Sequence, residues 1–188
     1  TGGRGTTWAG VQLGVALHRR DLPPAAGAEV KLTRQRDRDY LTPADSTLHS
    51  DLAKRVEIAN AFHPDLFVSI HHNADPAGTH DVNETQVYYQ LGDDGPSYDA
   101  ANDVLRSLAR NIGIETVKLI PGNFYVVRGS EAPALLTETS YLTDPDVEAR
   151  LKTDAARVLE AQALYVGVAR CCTGTEPRST EDTAGSAT

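Results

Sequence analysis

Apolar residues recur at steps of three and four along four segments of the chain, and this spacing predicts amphipathic helices. The predicted helices cover residues 8–20, 51–62, 97–112 and 145–170. Between them, short runs of apolar and β-branched residues predict strands at 28–33, 65–70, 85–91, 124–127 and 134–137. The run at Leu66–Ile70 is almost wholly apolar, which is typical of a central strand buried on both faces.

The alternation of helices and strands predicts an α/β fold with a largely parallel sheet covered by helices on both faces. A length of 188 residues is typical of one domain. From Thr173 onward there is no large apolar residue, so residues 171–188 are predicted to form a disordered tail or a linker. We therefore expect one folded domain over residues 1–170.

Charge and composition narrow the classes of partner. The formal net charge is -8, which argues against a duplex nucleic-acid partner, because phosphate binding relies on clustered Lys and Arg. No apolar run reaches the roughly 18 residues that a membrane-spanning helix needs, so no transmembrane segment is predicted. The chain contains no methionine, which indicates that Thr1 begins a processed, trimmed or partial chain.

Polar residues that could carry chemistry follow two of the predicted strands. The strand at 65–70 runs into His71 and His72, and the strand at 134–137 runs into Glu138. Open α/β sheets bind ligands beyond the carboxyl ends of their strands, so we expect His71 and Glu138 to face one cleft. Alternation along a strand points His71 and His72 to opposite faces, so the two should not bind one ion together. A structural histidine and a solvated strand end remain the alternatives for His71 and Glu138.

Several segments, in their order and spacing, resemble the zinc-dependent N-acetylmuramoyl-L-alanine amidases of the amidase-3 type. The resemblance covers roughly residues 1–170 and is carried by Val30–Arg34, Arg55–Asn60, Asp65–Ala74, Val87–Tyr89, Tyr125–Arg128 and Pro133–Glu138. It implies a mixed sheet with flanking helices. It also implies an enzyme that cleaves the amide between the lactyl group of muramic acid and the L-alanine of the stem peptide in bacterial cell walls. Peptidoglycan would then be the partner, and the site of action would be extracytoplasmic.

The same resemblance assigns roles to particular residues. The family binds zinc through a His before a Gly-Gly, a Glu that opens the first helix and a His in a Ser-Ile-His segment, and it uses a late Glu as catalytic base. Carried over to this chain, His71 is a zinc ligand and Glu138 is the base, whereas Thr1 and Trp8 stand at the other two ligand positions. The strand that precedes the Gly-Gly in the family has no counterpart here. Three residues near the end of the central strand could complete the ligand set: His72, Asp75 and His80.

For the remaining candidate residues, simpler structural roles compete with substrate binding. Asn73 and Arg128 are candidates for hydrogen bonds to a muropeptide carboxylate or carbonyl, although turn and strand-end roles would explain them equally well. The arginines of the 35–50 loop and Arg34 alternate with aspartates, which indicates a solvated charge cluster rather than a substrate clamp. Because two ligand positions are altered, the competing function is a zinc-free, catalytically impaired domain that binds muropeptide or regulates a partner.

Overall fold

The computed structural model describes residues 12, 14–16, 28–35, 47–78 and 81–173. Within them, four strands form one sheet: β1 (Phe67–Asn73), β2 (Thr85–Gln90), β3 (Val117–Gly122) and β4 (Ala134–Tyr141). The helices in this part of the chain are α1 (Leu48–Phe62), α2 (Pro96–Ile112), α3 (Tyr125–Arg128), α4 (Pro145–Leu151) and α5 (Asp154–Thr173). Residues 12 and 14–16 are also helical, as predicted for residues 8–20, and the rest of that prediction lies outside the described residues.

The sheet has the strand order β1-β4-β2-β3. β1 pairs parallel with β4, β4 pairs antiparallel with β2, and β2 pairs parallel with β3. This arrangement confirms the predicted single-domain α/β fold with a mixed, mostly parallel sheet. It also brings the carboxyl ends of β1 and β4 to the same edge as the amino ends of β2 and β3.

Two of the described helices cover each face of the sheet, and a separate apolar cluster lies between the sheet and each pair of helices. On one face, α2 and α5 bury Val87 and Leu135 of the sheet among their own apolar residues. Gly167 lets these two helices approach closely, because a Cβ atom there would lie 2.6 Å from the Cα of Val104. On the other face, α1 and α3 pack against Leu136. The predicted two-sided covering is therefore observed.

Local hydrogen bonds explain where α1 begins and ends. The Thr47 side chain accepts from the backbone N–H of Ser50 at 3.1 Å, and the Ser50 side chain accepts from the backbone N–H of Thr47, so the two form a capping box. The helix begins at Leu48, three residues before the predicted start. It ends at Phe62, and the C-cap residue His63 adopts the left-handed conformation with φ 51° and precedes Pro64.

Two strand predictions were wrong, and one strand was missed. Residues 28–33 pair with no strand of the described sheet, and most of their side chains are exposed. Residues 125–128 form the helix α3 rather than a strand, since burying Val126 and Val127 against α1 and the sheet outweighs the β propensity of this run. The unpredicted strand is β3, which pairs with β2 along its whole length.

The long helix predicted over residues 145–170 consists of two helices that are separated by Lys152 and Thr153. Asp144 caps α4 by accepting from two backbone N–H groups, and the Thr153 hydroxyl accepts from the N–H of Ala156 at the start of α5. Helix α5 then continues three residues past the predicted boundary at 170. None of the described helices is both long enough and apolar enough to span a membrane.

Candidate active site

The two residues singled out at strand ends lie side by side inside the sheet. β1 continues through His71 and β4 continues through Glu138, so both strands are longer than predicted. His71 and Glu138 are direct partners in the parallel register of the two strands. Direct partners on adjacent strands point to the same face, and here it is the face that carries α1 and α3.

The imidazole of His71 is held in its neutral form. Burial, followed by the charges of Arg55, His72 and Arg34, lowers the pKa of His71 from 6.5 to about 4. A hydrogen bond of 2.8 Å joins its Nε2 to the hydroxyl of Ser69, two residues earlier on the same face. A neutral imidazole is available at pH 7 as a hydrogen-bonding group or as a metal ligand.

The pKa of the Glu138 carboxyl group is raised, whereas that of His71 is lowered. Burial raises the pKa of Glu138 from 4.5 to about 7, and the charge of His72 opposes this rise. Its Oε2 atom is buried and has no hydrogen-bond partner among the described residues. A carboxylate that titrates near neutrality with a free oxygen is suited to accept a proton from a reacting group.

A polar network that sequence reasoning missed lies beside this pair. Gln86 on β2 is the antiparallel partner of Glu138, and its amide accepts a hydrogen bond from the side chain of Asn73 at 3.3 Å. The carbonyl oxygen of the Asn73 side chain accepts from the N–H of Ala74 at 2.8 Å. Asn73 therefore lies next to the pair, and its predicted role in binding a muropeptide stays a prediction. The inward-facing position of Gln86 in an alternating strand was the one signal in the sequence that could have found it.

Positive charge reaches His71 from elements that are distant in sequence. Arg55 of α1 and Arg34 both act on His71 strongly enough to lower its pKa. Arg55 is held in place by Asp51, whose carboxylate oxygen lies 2.7 Å from its Nε. The charge of Arg34 therefore acts on His71, whereas the rest of the charged loop in which the solvated cluster was predicted lies outside the described residues.

The remaining candidates lie elsewhere. Arg128 donates to the side chain of Asn123 at 3.3 Å and lies over the ring of Tyr125, and no contact with His71 or Glu138 is described for it.

The prediction that the two neighbouring histidines face opposite ways is confirmed. His72 points to the other face, where its Nε2 lies 2.9 Å from Glu160 of α5, and both side chains are almost completely buried.

The described residues do not by themselves complete the zinc site that the resemblance implies. A catalytic zinc generally has three protein ligands, and the described part of the chain contains no group of three His, Cys, Asp or Glu residues arranged to hold a metal. Asp75 accepts from the N–H of Ala77 in its own loop, and His72 is on the opposite face. Thr1, Trp8 and His80 lie outside the described residues.

A surface cavity of about 400 Å³ lies at the opposite end of the sheet, where β1 and β4 begin. Its lining includes His63, Asp65 and Glu131. This cavity is therefore separate from the edge that carries His71 and Glu138.

Comparison with known proteins relates this fold and site to one family. The profile of the Amidase_3 family, described as N-acetylmuramoyl-L-alanine amidase, matches residues 1–170. LytC, an N-acetylmuramoyl-L-alanine amidase of Bacillus subtilis, is 30% identical over 171 residues, which cover 88% of this chain and 31% of LytC. The chain thus spans about a third of the length of that relative.

Solved structures agree with this relationship. The catalytic domain of CwlV, an N-acetylmuramoyl-L-alanine amidase from Bacillus (Paenibacillus) polymyxa var. colistinus, matches with a TM-score of 0.70 and 30% identity. The match covers 87% of this chain and 82% of that one. AmiC2 of Nostoc punctiforme, also an N-acetylmuramoyl-L-alanine amidase, gives a TM-score of 0.70 and 30% identity over 84% of this chain and 80% of its own.

Proposed function

This chain belongs to the N-acetylmuramoyl-L-alanine amidase family, and on that premise we propose that it hydrolyses the amide between the muramic acid lactyl group and the stem-peptide L-alanine. The observation that carries the proposal is the buried Oε2 of Glu138, which lacks a hydrogen-bond partner within the described part of the chain, in a carboxyl group whose pKa is raised to about 7. The proposal includes residues 1–170 as the catalytic domain. It also includes peptidoglycan as the substrate and an extracytoplasmic place of action, since peptidoglycan lies there.

Glu138 moves the proton in the proposed reaction. Its ionised carboxylate takes a proton from a water molecule, and the water oxygen attacks the carbonyl carbon of the scissile amide. The same carboxyl group then returns the proton to the nitrogen of L-alanine as the carbon–nitrogen bond breaks. The products are a lactyl carboxylate and a peptide with a free L-alanine amino terminus. A base with a pKa near the working pH serves both transfers, because it accepts and releases the proton with similar ease.

Zinc dependence, which is typical of the family, is a separate part of the proposal. His71 suits a ligand role because its imidazole is neutral at pH 7 and adjoins Glu138. The described residues supply no further ligands around it, so a bound zinc would need residues from outside them. For this reason no step of the proposed reaction is assigned to the metal.

Substrate binding is proposed for Asn73 and Arg128. Asn73 adjoins the catalytic pair through Gln86, so its side-chain amide can donate to a carbonyl oxygen of the bound muropeptide. Arg128 is exposed at the end of α3, where its guanidinium can pair with a carboxylate of the stem peptide. Arg128 would therefore contribute at the periphery, away from the reacting bond.

The test compares the chain with Glu138→Gln on purified peptidoglycan, with new L-alanine amino termini as the measured product. Glutamine keeps the shape of the side chain and removes the proton acceptor, so release is expected to fall at least about 10²-fold. Glu131→Gln is the matched control, because Glu131 is exposed and lies at the opposite end of the sheet. Metal content of the purified chain, measured by elemental analysis after dialysis, tests zinc dependence in the same samples.

The outcomes separate the candidate functions. Turnover that is retained in Glu131→Gln and lost in Glu138→Gln is the expected result. Equal turnover in Glu138→Gln and the parent chain would overturn the role of Glu138. Muropeptide binding without turnover in the parent chain would instead identify a binding module of the same fold.

A further inference from the structure

The side-chain amide of Gln86 makes every hydrogen bond that it is able to make. Its nitrogen donates to the carboxylate of Glu84 and to the hydroxyl of Tyr141, the latter at 3.2 Å. Its oxygen accepts from the hydroxyl of Tyr88 at 2.6 Å and from the side-chain nitrogen of Asn73 at 3.3 Å. A carboxamide has two N–H groups and two lone pairs, so this amide has no capacity left for a substrate.

The orientation of this amide is fixed by charge. Burial by itself would raise the pKa of Glu84, but hydrogen bonds from Lys118 and Gln86 hold it below the usual range. Lys118 reaches Glu84 from the neighbouring strand with a separation of 2.6 Å between Nζ and Oε2. An ionised carboxylate accepts and never donates, so the NH2 group of Gln86 must face it and the oxygen must face Asn73.

Asn73 is consequently held at both ends of its own amide. Its oxygen accepts from the N–H of Ala74, and one of its two side-chain N–H groups donates to Gln86. Its second N–H has no partner among the described residues. Asn73 follows His71 by two positions on the same strand, and Gln86 is the register partner of Glu138. The spare donor therefore lies at the edge where the proposed reaction takes place.

We propose that Gln86 is a positioning residue for amide hydrolysis: it orients Asn73 so that the spare N–H of that side chain donates to the carbonyl oxygen of the scissile amide. The inference rests on the proposed function for its catalytic part. When water attacks, negative charge develops on that oxygen, and a donor that is already oriented stabilises the charge without reorganisation. Gln86 acts only through Asn73, because its own amide is fully occupied.

The first test measures the orientation itself and needs no turnover. In the parent chain, nitrogen-15 relaxation of the Asn73 side chain, assigned by its loss in Asn73→Ala, should give an order parameter of about 0.85, the value of a rigid backbone. Gln86→Met, which has a similar length and no hydrogen-bonding amide, should lower that value below about 0.6. Gln90→Met is the matched control, since Gln90 lies on the same strand roughly 13 Å further along, at about 3.3 Å per residue.

The second test measures the catalytic consequence with a soluble muropeptide. Gln86→Met should lower kcat by at least about tenfold with KM changed less than about twofold, because an oxyanion donor acts mainly in the transition state. The double variant with Asn73→Ala should be no slower than Asn73→Ala alone, since Gln86 acts through that residue. Gln90→Met should retain the parent kcat.

Two results would overturn the proposal. One is an Asn73 side chain that is mobile in the parent chain. This measurement needs no variant, so it can overturn the proposal even if Gln86→Met fails to fold. The other is an additive loss of kcat in the double variant, which would indicate a merely structural role for Gln86. An inactive parent chain with a rigid Asn73 would count against the amidase function and leave the positioning by Gln86 supported.

Discussion

Replacing Glu138 by glutamine should stabilise the fold at neutral and alkaline pH while it removes the proposed base. Burial raises the pKa of this carboxyl group from 4.5 to about 7 in the folded chain. A folded-state pKa above the unfolded value means that ionisation opposes folding, so stability is lost as the pH rises from about 4.5 through about 7. Glutamine carries no charge and avoids that loss.

The expected gain in the free energy of unfolding follows from the rise in the pKa of Glu138. Each pKa unit corresponds to about 1.4 kcal/mol. The rise in the pKa of Glu138 therefore costs about 3 kcal/mol of unfolding free energy once the group is fully ionised. Because Glu138 is only partly buried and solvent screens part of the penalty, we expect about 2 kcal/mol at pH 8. In a domain of this size that gain would raise the melting temperature by roughly 4–8 °C.

The assay is urea or thermal unfolding of the parent chain and Glu138→Gln at pH 5 and pH 8, with EDTA present so that no metal charge contributes. The two proteins should have nearly equal free energies of unfolding at pH 5 and should differ by about 2 kcal/mol at pH 8. Glu131→Gln should show no such pH-dependent difference. Equal stabilities of parent and Glu138→Gln at both pH values would refute the argument that the carboxylate is desolvated in the folded state.

Three further predictions address the fold and the pH dependence. Removing one member of the buried pair in His72→Ala should lower the free energy of unfolding by about 3–5 kcal/mol in urea titrations, because Glu160 is left unpaired. Gly167→Ala should lower it by about 1–3 kcal/mol, since the new Cβ lies 2.6 Å from the backbone of α2; Gly95→Ala, with its nearest contact at 3.4 Å, is the control. The rate kcat/KM should rise with pH up to about 7 and then level off, because the base must be ionised and the pKa of Glu138 is about 7.

Each of these has an outcome that contradicts it. If His72→Ala lowers the free energy of unfolding only slightly, water reaches the His72–Glu160 pair in the folded chain. Equal stability of the two glycine variants would show that α2 and α5 separate at little cost. An activity that already levels off at pH 5 would indicate a base with an ordinary carboxyl pKa.

The elements with a strong periodic pattern were predictable from the sequence. Helices α1 and α2 were predicted to within three residues, because their apolar positions recur at helical spacing. In α2 the buried residues follow that spacing. Strand β3 was missed because it contains Pro121. A proline lacks the N–H for a ladder hydrogen bond, and β3 tolerates it as the outer strand of the described sheet.

Tertiary contacts decided the segments that were predicted wrongly. The run Tyr125–Arg128 has β-prone residues, but the helix buries Val126 and Val127. No local pattern in the sequence reports which surface will cover a segment of four residues, so propensity alone selects the wrong element.

The candidate site was predictable where it depended on a single strand. His71 and Glu138 could be found because each follows an apolar run, and the structure places them in direct register. Gln86 and Arg55 could not be found in this way. Their positions depend on the antiparallel pairing of β2 with β4 and on the packing of α1, which are contacts between segments far apart in sequence.

The most direct test of the proposed reaction is hydrolysis of a defined muropeptide in heavy-oxygen water, followed by mass spectrometry of the products. We expect the lactyl carboxylate of the sugar fragment to gain one heavy oxygen and the peptide fragment to carry an unlabelled, free L-alanine amino terminus. Glu138→Gln should give neither product. Cleavage at any other bond, or a labelled product at the parent rate from Glu138→Gln, would contradict the proposed reaction.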